Sequence, residues 1–192
     1  MYFPYNFLYI RLIFFLLLSL TFKAMAYEEA TYGIVYQNNI YEIRNYSDRL
    51  AIQVNYTNER GGFKRLFSYI SGSNIDSTKI SMTIPAIQSN ENGSMVMQFL
   101  LPSNFTEKNA PTPNDKDLKL IVIEQGHYAV IRYSGRLSEK NFDKRRMILI
   151  DNLLKDNIEI LSPAIRATYN APFTLPFLRR NEVMFRVVWK DK

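Results

Sequence analysis

The stretch GGFKRLFSYISG, residues 61–72, predicts an amphipathic helix that is flanked on both sides by strand-forming sequence. Its apolar residues recur at i, i+3, i+4 and i+7, the spacing that places side chains on one face of a helix. They are Phe63, Leu66, Phe67 and Ile70. Gly72 is expected to end the helix. The segment therefore favours a helix whose apolar face packs on a sheet.

The strands around this helix are predicted from β-branched and aromatic residues in partly alternating order. They cover residues 40–46, 50–56, 79–87 and 95–101. Asp48 lies between the first two strands and indicates a β-hairpin there. Asn92-Gly93 is a strong hairpin turn sequence between the last two. The first half of the domain is thus predicted to be strand–strand–helix–strand–strand.

The same order recurs in the second half of the chain. Strands are predicted at residues 118–124, 128–133, 165–169 and 182–189. Ser138 is expected to cap a second helix, with Phe142, Leu149, Ile150, Leu153 and Leu154 on its buried side. A proline-rich connection, residues 102–117, separates the halves. The pattern predicts an α+β domain, an antiparallel sheet curled toward a barrel with two helices packed on it.

The first 26 residues have the pattern of a secretory signal peptide. Arg11 precedes an apolar run at residues 12–22, and residues 24–26 (AMA) resemble a cleavage site. We expect cleavage after Ala26, which leaves residues 27–192 as one periplasmic or secreted domain. An uncleaved membrane anchor is the alternative, because residues 7–10 extend the apolar run on the other side of Arg11.

Composition removes several classes of function. The 192-residue chain has one histidine and no cysteine, which excludes a thiol nucleophile, an iron–sulfur cluster and a multi-histidine zinc centre. It has no phosphate-binding glycine loop, and no spacing singles out a pair of acids. We therefore predict no catalytic residues and no metal-ligand set, and we expect a non-enzymatic protein. The net charge is +6, but the basic residues are scattered, so no nucleic-acid partner is expected.

Several short strings along the chain carry a family resemblance. They are residues 41–46 (YEIRNY), 62–74 (GFKRLFSYISGSN), 82–85 (MTIP), 111–115 (PTPND), 169–172 (YNAP) and 179–183 (RRNEV). In this order and spacing they resemble the SOUL/heme-binding protein family. The resemblance implies a distorted eight-stranded antiparallel β-barrel, built from two pseudo-symmetric ββαββ halves with two flanking helices. It also implies non-covalent binding of haem or another porphyrin.

The resemblance implies that the binding cleft is bordered by the first helix and by the loop before the last strand. A flat macrocycle needs a broad apolar surface together with cations for its propionates. The predicted haem-binding residues are Arg60, Phe63, Lys64, Phe67, Ile70, Arg179 and Arg180. Two alternatives stay open: the aromatic stripe packs on the sheet, and the two consecutive arginines belong to an internal ion-pair network that starts the last strand.

Axial ligation is where the chain departs from the family pattern. Some members place a proposed haem-ligating histidine between the positions of Arg44 and Tyr46, where this chain has Asn45. The only imidazole, His127, is expected in an exposed turn. The resemblance then implies that apolar and basic contacts hold the haem, with no axial ligand assigned.

The function expected from the sequence is that of a carrier, buffer or scavenger of haem or another porphyrin. The membrane takes part only through the signal peptide in this interpretation. The alternatives are a haem-degrading or iron-releasing enzyme on the same barrel, and a module that binds a non-tetrapyrrole small molecule or a protein.

Overall fold

The computed structural model describes residues 27–190, so the predicted signal peptide lies outside the described residues. The strands are β1 (Glu28–Glu29), β2 (Gly33–Gln37), β3 (Glu42–Tyr46), β4 (Arg49–Tyr56), β5 (Thr83–Ile84), β6 (Ala86–Glu91), β7 (Ser94–Leu100), β8 (Lys119–Ile123), β9 (Gly126–Tyr133), β10 (Ile165–Thr168) and β11 (Asn181–Val187). The helices are α1 (Glu59–Ile70) and α2 (Glu139–Lys155), and a 3-10 turn covers Pro176–Leu178. Neither helix of residues 27–190 has the length and hydropathy needed to cross a membrane.

Nine strands form one antiparallel sheet in the order β2-β3-β9-β11-β10-β6-β7-β4-β8, and β1 pairs separately with β5. The α+β class, with two helices on a large antiparallel sheet, is confirmed. The closed eight-stranded barrel is not found, because β2 occupies the free edge of β3 and leaves β2 and β8 as the two edges of the sheet in residues 27–190. The pseudo-symmetry of the two halves stays a prediction.

The β-hairpin predicted between residues 40–46 and 50–56, which correspond to β3 and β4, is wrong. β3 pairs with β2 and β9, whereas β4 pairs with β7 and β8. Asp48, in the turn between β3 and β4, accepts a hydrogen bond of 2.6 Å from the backbone nitrogen of Gln125, in the turn between β8 and β9. The aspartate thus joins two turns, and each strand continues into a pairing with the other half of the chain. The hairpin predicted at Asn92-Gly93 is confirmed, since β6 and β7 pair directly across it.

Helix α1 begins at the cap that the sequence provides one residue before it. The Asn58 side chain accepts hydrogen bonds from the backbone nitrogens of Arg60 and Gly61, which would otherwise lack partners at a helix start. Leu66, Tyr69 and Ile70 are buried against β4 and β7.

Helix α2 is capped by Ser138, as predicted, through a hydrogen bond from Asn141. Leu149 and Leu153 are buried against β9 and β11. Leu154 was expected on the buried side, but it is 65% exposed, because it is rotated by about 100° from Leu153 around the helix axis.

Both helices pack on the same face of the sheet. The register aligns Val183 of β11 with Arg166 of β10, Arg166 with Gln88 of β6, and Gln88 with Met97 of β7. Side chains directly opposite in neighbouring strands point to the same side of a sheet. Val183 belongs to the cluster under α2 and Met97 to the cluster under α1. The opposite face of the sheet, called the inner face below, carries Tyr46, Tyr128, Val130, Ala167, Tyr169 and Met184.

Candidate functional site

Four of the predicted binding residues share one exposed flank of α1. Successive residues of an α-helix are rotated by about 100°, so positions 60, 63, 64 and 67 occupy adjoining rows of the surface. Phe63 is 41% exposed and Phe67 is 50% exposed. Their rings are nearly parallel, with an interplanar angle of 12° and centroids 6.1 Å apart. Arg60 and Lys64 are exposed beside them. These four residues, the aromatic flank, present an apolar surface bordered by two cations.

The sheet beneath α1 fixes one ring of this pair. Phe63 meets the buried ring of Phe99 edge-on, with centroids 5.2 Å apart and an interplanar angle of 70°. Ile70, the fifth predicted residue on the helix, is buried with Leu66 in the cluster under α1. The packing alternative therefore describes Leu66 and Ile70, whereas Phe63 and Phe67 remain accessible to a ligand.

A groove of about 600 Å³ lies along the opposite flank of α1 and contains none of the predicted binding residues. Gly62 allows α1 to approach β4 closely there, since a Cβ at this position would lie 3.0 Å from the Tyr56 side chain. Arg65 also borders the groove and forms ion pairs with Asp115 and Asp117, at 2.6 and 2.7 Å. The hydrogen bond from Arg65 lowers the pKa of Asp115 below its ordinary value. Arg65 is thus used to hold the proline-rich connection against the helix.

Arg179 and Arg180 make contacts within the protein. The Arg179 guanidinium donates to the backbone carbonyl of Thr174 at 2.7 Å and to that of Pro172, both in the loop before β11. Arg180 forms a bidentate ion pair with Glu29, at 2.8 and 3.0 Å. This is the internal network that the sequence left open as an alternative. A contact between these arginines and a propionate stays a prediction.

Glu182 is the centre of a charged cluster buried on the inner face. Arg44 donates to both of its carboxylate oxygens, at 2.8 and 2.9 Å, and Arg180 donates to Oε1 at 2.9 Å. The Tyr169 hydroxyl donates to Oε2 at 2.7 Å. Burial alone would raise the pKa of Glu182, but the hydrogen bonds from Arg44 outweigh it and hold the pKa below its ordinary value. The carboxylate is therefore ionised and saturated with donors.

Sequence reasoning left open an internal ion-pair network at residues 179–182 but missed its buried partners Arg44 and Tyr169. Its members come from three of the strings that carry the family resemblance, at residues 41–46, 169–172 and 179–183. Arg44 and Glu182 are separated by 138 residues, and charge alone does not pair such distant positions. The only available indication of the cluster was that arginine, glutamate and tyrosine occur in those strings. These strings therefore include residues that build the inner face.

The only histidine lies on β9, whereas α1 packs on β4 and β7. His127 belongs to β9 rather than to the expected exposed turn, because its backbone takes part in the ladders with β3 and β11, and its side chain is half-buried. It is directly opposite Asn45, the position of the ligand proposed in some family members. In sheet order β9 is four strands from β7, which contacts α1. Residues 27–190 contain no cluster of three or more histidine, cysteine or acidic side chains suited to a metal ion.

These features define a class of protein: a small α+β domain that carries an exposed aromatic and cationic helix flank on a large antiparallel sheet. A family model described as SOUL heme-binding protein matches residues 27–186. The chain therefore belongs to the SOUL heme-binding protein family, which confirms the resemblance found in the strings. No curated protein matches the chain.

Solved structures share the fold at low sequence identity. The C-terminal domain of EcmrR superposes with a TM-score of 0.59 at 8% identity, over 77% of this chain and 96% of that domain. A structure described as a hydrolase from Listeria innocua superposes with a TM-score of 0.57 at 11% identity, over 79% of this chain and 93% of that one. At these identities the likeness shows a common fold only.

Proposed function

We propose that the protein binds haem or another tetrapyrrole non-covalently on the aromatic flank of α1. The observation that carries the proposal is the near-parallel pair of Phe63 and Phe67, which stays about half exposed on a helix whose other apolar residues are buried. Membership of the SOUL heme-binding protein family supports the class of ligand. Arg60 and Lys64 lie on the same flank and supply cations for carboxylates.

The aromatic flank fits the requirements of a flat ligand with carboxylate arms. Covering exposed apolar surface stabilises a complex by roughly 25 cal/mol per Å². The flank offers no imidazole or thiolate, since His127 lies on β9 and the chain has no cysteine. Bound haem would supply an iron centre and a strong absorption band. The residues of the chain bind its face and orient its propionates.

Titration of hemin into the purified full-length protein tests this proposal. We expect a shifted and intensified Soret band that saturates near one hemin per chain. Replacing both rings (F63A/F67A) should weaken binding by about tenfold or more, because each ring loses its contact with the macrocycle. Leu154→Ala is the matched control, since it removes an exposed apolar side chain from α2. A folded protein that leaves the hemin spectrum unchanged at micromolar concentration would contradict the proposal, as would equal weakening by the control.

We further propose that the protein is an exported carrier, buffer or scavenger that does not turn its ligand over. The signal peptide predicted at residues 1–26 supports export. Mass spectrometry of the protein from cells should find an N-terminus at Tyr27, and a chain that still begins at Met1 would contradict cleavage. Bound haem should keep its absorption in the presence of a reductant, oxygen and catalase. Its decay under those conditions would favour the haem-degrading enzyme.

A further inference from the structure

The loop between β10 and β11 exposes four large apolar side chains within six residues. Phe173 is 88% exposed, Leu175 55%, Phe177 70% and Leu178 62%. Single exposed apolar residues are ordinary on protein surfaces, whereas a contiguous group marks a site of interaction. Residues 171–178 are called the apolar loop below.

Hydrogen bonds hold the apolar loop in a defined shape. The backbone nitrogen of Thr174 donates to the carbonyl of Ala171, and that of Leu178 donates to the carbonyl of Leu175. The Arg179 side chain donates to the Thr174 carbonyl from the base of the loop. The backbone nitrogen of Gly135 donates to the Pro176 carbonyl at 2.9 Å, which joins the apolar loop to the turn between β9 and α2. The backbone therefore presents these apolar side chains to solvent as a fixed surface.

The two backbone segments that form and adjoin the apolar loop are basic. The hydrogen bond from Gly135 to Pro176 joins residues 132–136 to residues 170–180. Together these two segments contain four arginines and no acidic residue. Arg180 is neutralised by Glu29 and Glu182. Arg132 and Arg136 are exposed, and neither forms an ion pair within residues 27–190. An apolar tip with exposed arginines beside it complements an anionic phospholipid surface.

The start of the described chain lies beside the same loop. Glu29 forms an ion pair at 2.8 Å with Arg180, two residues after the apolar loop. The start of the described domain is therefore fixed on the side where the apolar loop lies.

We propose that the apolar loop docks the domain on an anionic phospholipid bilayer. Its phenylalanines and leucines enter the interfacial region, and Arg132 and Arg136 face the lipid headgroups. This goes beyond the sequence-based expectation, which gave the membrane no role after signal-peptide cleavage. It does not rest on tetrapyrrole binding, because none of these residues belongs to the aromatic flank.

Spin labelling of the full-length chain tests the proposal, because a chain without cysteine accepts a label only at an introduced one. Phe173→Cys places a nitroxide at the tip of the apolar loop. Ile75→Cys is the matched control, an exposed apolar residue in the connection after α1. With phosphatidylcholine vesicles that contain phosphatidylglycerol, collisions of the label at 173 with a water-soluble nickel complex should fall several-fold, while collisions with oxygen rise. The label at 75 should not change.

Three other outcomes would overturn the proposal. Collision rates that are unchanged, or that change equally for both labels, would show that the apolar loop does not contact the bilayer. A label at 173 that is already immobilised without vesicles would assign the loop to contact with a second copy of the chain. An equal response to pure phosphatidylcholine would remove the role of the anionic headgroups. Circular dichroism of both labelled variants shows that each retains the fold.

Discussion

The buried carboxylate of Glu182 provides the sharpest test of how the inner face is stabilised. Glu182→Gln keeps the size of the side chain but removes its charge. The amide offers one acceptor oxygen, whereas the carboxylate accepts hydrogen bonds at both oxygens from Arg44, Arg180 and Tyr169. The buried Arg44 guanidinium would then face the amide nitrogen of the glutamine, which donates hydrogen bonds and cannot accept one.

The magnitude follows from the burial of both partners of this ion pair. Removing one partner from a buried ion pair leaves an uncompensated charge and costs about 3–5 kcal/mol. Glu139→Gln is the matched control, because Glu139 also accepts two hydrogen bonds from one arginine, Arg166, both at 2.8 Å. Glu139 is exposed, and exposed ion pairs contribute about 0–1 kcal/mol. We therefore expect the free energy of unfolding to fall about 3 kcal/mol further for Glu182→Gln than for Glu139→Gln.

Urea unfolding followed by far-UV circular dichroism measures both variants. The pH dependence supplies a second readout, because the pKa of Glu182 is lower in the folded protein than its ordinary value near 4.5. A depressed carboxylate pKa stabilises the fold fully above the unfolded pKa, and that stabilisation is lost as the pH falls through the folded pKa. The difference between wild type and Glu182→Gln should therefore be constant near neutral pH and shrink below about pH 4.5.

Two results would refute this reasoning. One is a loss of stability for Glu182→Gln no larger than that for Glu139→Gln. The other is a difference from wild type that does not change with acidification. Replacing both buried partners with apolar residues (R44M/E182L) should be less damaging than removing Glu182 alone, because the buried Arg44 guanidinium is no longer left without Glu182, and Glu42, the other partner that Arg44 loses, is only partly buried.

Three further predictions concern helix α1 and the paired strands β3 and β9. Leu66→Ala should lower the free energy of unfolding by about 2–5 kcal/mol in urea titrations, because Leu66 is fully buried between α1 and the sheet. Asn58→Ala should lower it by about 1 kcal/mol through loss of the α1 cap, and Asn58→Ser should retain most of that stability. Asn45→His places a second imidazole directly across from His127, so Ni²⁺ should bind by calorimetry and raise the melting temperature, while the hemin spectrum stays as in wild type.

Local sequence patterns predicted the elements better than their pairing. The spacing of Leu66 and Ile70 and the cap at Ser138 depend on neighbours within a few residues, and both helices formed where these features indicated. The turn at Asp48 looks the same whether its two strands pair with each other or separate. Its carboxylate binds the backbone of Gln125, 77 residues away, and no local pattern contains that contact. The extra strand β2 was missed for a related reason, because Ile34 and Val35 are exposed and show no alternation of buried and exposed residues.

The candidate site shows the same limit. A stripe at i, i+3, i+4 and i+7 predicts which residues share a side of α1, and the structure divides that stripe between buried Leu66 and Ile70 and half-exposed Phe63 and Phe67. The division depends on how α1 packs on the sheet, where Phe63 meets Phe99 edge-on, and the spacing alone does not contain that contact. Arg180 was predicted from its charge and from the family resemblance, and its pairing with Glu29 depends on the path of the N-terminal segment.

The position of Asn45 changes what the missing histidine implies. From the sequence, asparagine at this position removes an axial ligand and leaves the macrocycle to apolar and basic contacts. In the structure Asn45 lies on β3 and pairs across to β9, whereas α1 packs on β4 and β7, so position 45 and the aromatic flank lie on different elements. If haem binds on that flank as proposed, its binding should depend on residues 60–67 and not on the residue at position 45. If hemin binding is lost in F63A/F67A and retained in Asn45→His with an unchanged spectrum, the flank and position 45 belong to separate surfaces of the domain.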